Sequence, residues 1–358
     1  MASRSTHQNW LIRLTDLPTA SGKEDSVVAW VESWAYKRGH RFSRDEAGNV
    51  LLRSKTRSRK RQVVAVAHMD HPALVVTRGG TRVVEAVLRG GVHPQYVEGA
   101  AVETGSLLGR VVSHDPASLR TVVEFKGTVE TGSIVRWRFH PAALGLRDGV
   151  LKARTCDDLA GVAAALAALD VSVSKGIDHF GVLLTRAEEV GLVGAIAACK
   201  LETIAKESRV LSIECSRASS DAPVGAGPVV RVGDASSAFS PELTNALSAA
   251  ARASGIKHQR KLMAGGSCEA TAFCAYGYEA SGLCLPLNNY HNMADIAGVL
   301  AGKKKARLAP EEIATSDFHG LVDLLVSTAA TLDASQGRLR HHLDDMFDSE
   351  RHVLTSEA

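Results

Sequence analysis

Two carboxylates, Glu188 and Glu189, stand side by side where the apolar run Phe180-Gly-Val-Leu-Leu-Thr-Arg-Ala opens into Val190-Gly-Leu. Neighbouring strand residues point to opposite faces. At a strand end that turns under glycine, both carboxylates can reach one cleft. One can then hold a metal ion while the other moves protons. His68-Met-Asp70, Asp157-Asp158 and His291 also fall at expected strand ends. The four clusters read together as a hydrolytic two-metal site.

Each residue type has a chemical reason to be there. His68 ends the run Val63-Val-Ala-Val-Ala, and Asp70 is placed to accept a hydrogen bond from the imidazole nitrogen that does not face metal, which aims the ring. A carboxylate can bridge two ions about 3.5–4 Å apart. We assign that bridge to Asp157 and a capping or orienting role to Asp158, with Gly161 letting the following helix pack close to its strand. Glu188 is read as general acid/base and Glu189 as ligand. Glu214 is expected to end the strand Val210-Leu-Ser-Ile-Glu, and a buried charge there needs a partner. The metal set is therefore His68, Asp157, Glu189, Glu214 and His291, giving each of two ions one histidine, one carboxylate and a share of the bridge. Oxygen and nitrogen donors without thiolate suit zinc foremost, with cobalt and manganese also accommodated.

Composition excludes other classes. The 358 residues carry a formal net charge of +3, too mild for a nucleic-acid binder. No stretch approaches about 18 consecutive apolar residues, so no membrane span is expected. The N-terminus lacks an apolar signal core, which suggests a cytoplasmic protein. Six cysteines include no Cys-x-x-Cys pair, and all fall at or after Cys156. They read as reduced, buried residues rather than a disulfide framework.

The elements that must position this chemistry alternate. Residues 7–40 read as two helices, the second opened by a capping box, Ser21-Gly-Lys-Glu24. Strands follow at 48–52 and 62–68, joined by a basic link (Arg53, Lys55, Arg57, Arg59, Lys60, Arg61) taken as a solvated hairpin loop. Residues 72–150 alternate apolar and polar without helical period and read as an inserted β-barrel or sandwich. Beyond 150 we expect a helix at 159–169, a strand at 180–185, a helix at 192–199, a strand at 210–214, a helix at 241–254, a strand at 281–286 and a last helix at about 311–333. Such alternation points to a three-layer α/β/α sandwich with a mixed or parallel sheet plus a small inserted β-barrel. The expected division is 1–71 with 151–334 as catalytic body, 72–150 as inserted β unit and 335–358 as a polar tail, either a solvated helix or a loose end.

In this order, His-x-Asp, Asp-Asp-x-x-Gly, Glu188-Glu-Val-Gly-Leu-Val-Gly-Ala195, a strand-end acid and Tyr290-His291, the chain resembles the dinuclear metallo-aminopeptidases of the tetrahedral, or glutamyl/deblocking, aminopeptidase family. The resemblance covers about 8 to 330. The long gap between Asp70 and Asp157 has room for that family's β insertion. The gap between Glu214 and His291 is too short for the extra domain of related carboxypeptidases and deacylases. The resemblance implies removal of N-terminal residues from peptides, two divalent ions on the five ligands above, Glu188 as general base, and large homo-oligomers, often dodecamers. Four positions depart from the pattern and bear on substrate choice and assembly. Glu214 replaces an aspartate, Leu159 and Asn289 each replace an arginine, and Ser267-Cys-Glu-Ala replaces Gly-Thr-Asp-Ala. Two other readings stay open: hydrolysis of N-acyl amino acids or other small amides at the same site, and a non-catalytic scaffold that keeps the fold. Peptide or small amide is the expected partner, with neither nucleic acid nor membrane.

Overall fold

A computed structural model describes residues 2–56, 58–335 and 338–354. After helices α1 (Arg4–Leu14) and α2 (Asp25–Arg38), the chain forms β1 (Arg41–Arg44), β2 (Val50–Arg53) and β3 (Val63–His68). Six strands then close into a barrel: β4 (Ala73–Arg78), β5 (Val83–Arg89), β6 (Ala101–Thr104), β7 (Leu107–His114), β8 (Arg120–Phe125) and β9 (Ile134–Trp137). The short strands β10 (Gly145–Arg147) and β11 (Val150–Ala153) lead to α3 (Leu159–Ser174), β12 (Phe180–Thr185), α4 (Val193–Lys200) and β13 (Arg209–Arg217). Next come β14 (Val229–Asp234), α5 (Pro241–Ala253), β15 (Gln259–Met263), α6 (Glu269–Ala275), β16 (Glu279–Leu287), α7 (Ile296–Leu300), β17 (Glu311–Ala314), α8 (Thr315–Ser335) and α9 (Arg338–Glu350).

Eight strands build the main sheet in the order β1-β2-β12-β3-β13-β16-β14-β15. Its centre, β12-β3-β13-β16, is parallel, while β2 and β14 run antiparallel to their central neighbours. Every residue of β3 and β12 is buried, as strands covered on both faces require. Helices α1, α2, α3, α5 and α8 pack on one face through a single apolar cluster, and α4 and α6 cover the other. Helix α3 is apolar all round and almost wholly buried, so it lies at the centre of its layer. The barrel has its own core, including Leu74, Val84, Phe125 and Trp137, closed on one side by Met293, Ile296 and Val299.

The expected α/β/α sandwich with an inserted barrel is the observed architecture. Several local expectations are corrected. Ser21 and Glu24 form no capping box: α2 has no side-chain cap, and both side chains point into the fold. The basic link is no hairpin, because β12 lies between β2 and β3. Its Arg61 pairs with Glu279 at 2.7 Å, and Arg57 lies outside the described residues. The strand expected to end at Glu214 runs on to Arg217 through its pairing with β16. Residues 311–314 are not helical but strand β17, paired with β11, and the helix begins at Thr315. Strands β1, β14 and β15 and helices α6 and α7 were not expected. Barrel strands end at Trp137, and β10 and β11 join β17 in a separate three-stranded sheet. Of the polar tail, 336–337 and 355–358 lie outside the described residues, and the rest carries α9.

Candidate metal centre

Strands β3 and β12 lie in parallel register with His68 opposite Thr185, so both chains leave the sheet at one level. The turn after β12 carries Glu188 and Glu189, with Ala187 and Leu192 at positive φ (52° and 58°) and Gly191 at 114°. Asp70 holds this turn. Its Oδ1 accepts the Glu188 N–H at 2.9 Å, and its Oδ2 accepts the Glu189 N–H at 3.2 Å and the Ser21 hydroxyl at 2.6 Å. Asp70 thus does more than aim His68. The closest acceptor to His68 Nδ1 is the Asp70 carbonyl at 3.2 Å, with the carboxylate at 3.4 Å.

Asp157 leaves the segment after β11, and its peptide bond to Asp158 is cis. Its carboxylate lies between two imidazoles. Oδ1 is 3.3 Å from His68 Nε2, and Oδ2 is 3.5 Å from His291 Nε2. His291 Nε2 also lies 3.1 Å from Glu189 Oε1, and His68 Nε2 lies 4.0 Å from both Glu188 Oε2 and Glu214 Oε1. Two clusters share Asp157: His68, Asp157 and Glu214 on one side, and Asp157, Glu189 and His291 on the other. Glu188 and Glu189 also group with His68. In each cluster the ligand atoms lie within 4.8 Å of one another. His291 Nδ1 donates to the Gly91 carbonyl at 2.6 Å, which turns Nε2 toward Asp157 and Glu189. Asp157 Oδ1, Glu189 Oε1, Glu214 Oε1 and His291 Nε2 are buried without a hydrogen-bond partner. Buried polar atoms left unpaired are costly, and this donor set fits divalent cations of the zinc, cobalt or manganese type.

The electrostatics agree with a cation pocket. Burial pushes Glu214 up to about 8, with Asp157 adding repulsion. Burial also holds Glu188 well above the usual carboxylate range, helped by Glu214 and Glu189 and opposed by His68. For His68, burial favours the neutral ring, but Glu188, Asp157, Asp70 and Glu214 outweigh it and raise the pKa. Asp157 is held low despite burial by the two histidines. Tyr290 stacks on His291 with ring centroids 3.7 Å apart.

Asp158 does not cap α3: it makes no side-chain cap bond, and its buried carboxylate oxygens have no hydrogen-bond partner. A Cβ at Gly161 would overlap both Asp158 carboxylate oxygens, so glycine there makes room for that carboxylate.

Four residues near the site were missed. Glu311, on β17, accepts backbone N–H groups from Cys156, Asp157 and His291. His71 sets Nδ1 2.6 Å from the Asp157 carbonyl and Nε2 3.1 Å from Asn292 Oδ1. Glu269 is fully buried with both oxygens unpartnered, and burial pushes it up to about 7. Arg231, a charge inside the apolar run of β14, lines a cleft of about 540 Å³ beside Glu214 and Tyr290. The signal for Arg231 was legible as a charged residue inside Pro228-Val-Val-Arg-Val. Glu311 gave none apart from its neighbour Glu312.

Solved structures share this fold at low identity. The TET1 peptidase of Pyrococcus horikoshii, described as assembling into a tetrahedron or a large octahedral shell, is 21% identical with a TM-score of 0.72, over 91% of this chain and 99% of its own. A TET aminopeptidase from the archaeon Thaumarchaeota archaeon SCGC AB-539-E09 is 17% identical with a TM-score of 0.76, over 94% and 100%. An M18-family aminopeptidase of Thermotoga maritima is 14% identical with a TM-score of 0.67, over 91% and 96%. No curated protein sequence matches the chain. The family model for M42 glutamyl aminopeptidases matches residues 117–308, more than half of the sequence, so the chain belongs to the M42 glutamyl aminopeptidase family and is a hydrolase of the aminopeptidase class.

Proposed function

We propose that the chain is a two-metal aminopeptidase that removes N-terminal residues from peptides. The observation that carries this is the convergence of buried, unpartnered polar atoms from His291, Glu189 and Glu214 around the Asp157 carboxylate, with His68 beside it. His68, Asp157 and Glu214 are assigned to one ion, and Asp157, Glu189 and His291 to the other. Divalent ions held there supply Lewis-acid polarisation of a carbonyl and a lowered pKa for water. Glu188, free of those ligand duties and held by Asp70 through its backbone, takes the proton from the attacking water and delivers it to the leaving amine. Asp70 fixes the relative placement of base and ligand, because both N–H groups end on one carboxylate.

The cleft beside Glu214 supports an acidic N-terminal residue as the preferred substrate. Arg231 is 3% exposed and makes no ion pair among the described residues. It bonds only Ser216 Oγ, at 3.4 Å, and its Nε has no partner. Lys261 lines the same cleft, held by Ser219 and Asp221. A buried guanidinium that makes no ion pair among the described residues, with Glu214 and Asp234 the acids that act on it from nearby, favours an anionic ligand. Gly91 and His93 also line this cleft, which supports reading 72–150 as an insertion that serves the site. Homo-oligomerisation is part of this reading, by analogy with the relative that forms closed shells.

The test is a metal-supplemented screen of aminoacyl reporters, free and N-acylated. The expected result is turnover of unblocked glutamyl and aspartyl reporters. Arg231→Gln should reduce the glutamyl-to-leucyl ratio of kcat/KM by about tenfold or more, a ratio that cancels any effect of Arg231 on Glu214. Exclusive turnover of acylated substrates would replace this reading with deacylation.

A further inference from the structure

One buried carboxylate outside the donor clusters is bonded to the backbones of two of the proposed ligands, Asp157 and His291. Glu311 is 0% exposed. Its Oε2 accepts the Cys156 N–H at 2.6 Å and the Asp157 N–H at 3.0 Å, and its Oε1 accepts the His291 N–H at 2.9 Å. These three donors belong to two loops far apart in sequence. One loop carries the carboxylate shared by both clusters, and the other carries a terminal histidine. His291 has a left-handed backbone (φ 52°, ψ 34°), flanked by Asn289 and Asn292 at φ 55° and 64°. Side chains rarely adopt that conformation unless something holds it. Strand β17 is itself anchored, paired with β11 just ahead of Asp157. It is therefore a rigid base for such a hold.

We propose that Glu311 is a positioning residue that fixes His291 against the bridging Asp157, by joining the backbones of these two ligands. The inference rests on the two-metal reading above. It concerns geometry: Glu311 belongs to none of the donor clusters. A carboxylate is the group the position needs, because it offers acceptors on both oxygens. Glutamine keeps the shape but turns an NH2 group toward one set of N–H donors, so one loop loses its hold. Aspartate keeps the charge but is one methylene too short to reach both loops. His71 braces the same corner, with its ring nitrogens facing the Asp157 carbonyl and Asn292 Oδ1.

The experiment measures zinc binding to the full chain by competition with a chromophoric chelator, for the parent, Glu311→Gln, Glu311→Asp and the strand neighbour Glu312→Gln. Glu312 pairs with Lys152 at the surface and serves as control. Expected are two bound ions in the parent and Glu312→Gln. In Glu311→Gln, at least one dissociation constant should rise about 10–100-fold, the range for residues that orient ligands. Activity at limiting metal should fall in step and return to within about twofold of the parent at saturating zinc or cobalt. A role in fold stability alone would lower Tm without this metal rescue. If Glu311→Gln does not fold, the metal-induced rise in Tm is read in Glu311→Asp, where it should shrink. A parent that binds two ions and a folded Glu311→Gln that binds them equally tightly would overturn this inference alone. A parent that binds no divalent ion would remove the two-metal reading and this one with it.

Discussion

Asp157 shows how one side chain can set a reaction's geometry. With one oxygen toward each imidazole, it is placed to be the ligand that two cations would share in the proposed site. Glu188 is set apart from its neighbour by where it points. Glu189 Oε1 faces His291 at 3.1 Å, while the nearest histidine nitrogen to Glu188 is 4.0 Å away. Glu188→Gln should keep both ions, by elemental analysis, and lose about 10²–10⁴-fold in kcat. Parental turnover in that variant would exclude Glu188 as the base. Gly161→Ala offers a separate check, because its Cβ would overlap the Asp158 carboxylate. We expect a loss of about 1–3 kcal/mol from overpacking, read as a lower urea midpoint with unchanged m-value. His68, Glu189 and Glu214 could be proposed from sequence because each stands at the end of an apolar run or beside a glycine turn, and Asp157 and His291 because of the paired acids and the Tyr-His step that the family resemblance supplies. Asp70's hold on the Glu188 and Glu189 backbone could not, since backbone N–H groups leave no trace in residue identity.

At the scale of elements, the parallel centre of the sheet does most of the positioning. Continuous apolar runs made β3, β12 and β16 legible, and the alanine-rich run made α3 legible. Strands β1 and β15 lie at the two edges, half solvated and short, so their patterns are weak. Strand β17 was absorbed into the helix that follows it because only four residues pair with β11. One contact ties three helices together. Asp170 of α3 accepts from Arg38, at the end of α2, with Nε at 2.7 Å, and from the Ala2 N–H at 2.8 Å, just ahead of α1. His7 Nε2 lies 3.9 Å away. Although burial opposes ionisation, these partners hold the Asp170 carboxyl well below its usual range. A depressed folded pKa contributes stability above the unfolded value of about 3.9, and that stability is lost as pH falls toward the folded value. Asp170→Asn should therefore cost about 1–3 kcal/mol at pH 7. The difference from the parent should shrink steadily below about pH 4. A difference independent of pH from 7 to 3 would show that charge plays no part in the contact.

For the molecule as a whole, the barrel, the sheet and the small β10-β11-β17 sheet meet around the donor cluster, so ions bound in the proposed site would report on how well the parts are held together. Gly91 comes from the segment after β5, His68 from the central sheet, and Glu311 from the small sheet. The unfolded chain scatters these donors across more than two hundred positions and presents no assembled site. Ions that bind only the folded chain stabilise it by mass action, about 2.7 kcal/mol for each ion at a free concentration one hundred times its Kd. Removing both with a chelator should therefore lower Tm by several degrees and abolish turnover, and adding back zinc or cobalt should restore both together. Asp157→Asn disrupts the shared ligand, so its Tm should barely respond to added metal. Calorimetry across a metal titration provides the measurement, with the rise in Tm plotted against the logarithm of free zinc. A parent Tm insensitive to both chelator and metal would mean that these side chains hold no ion, and the convergence of donors would need another cause.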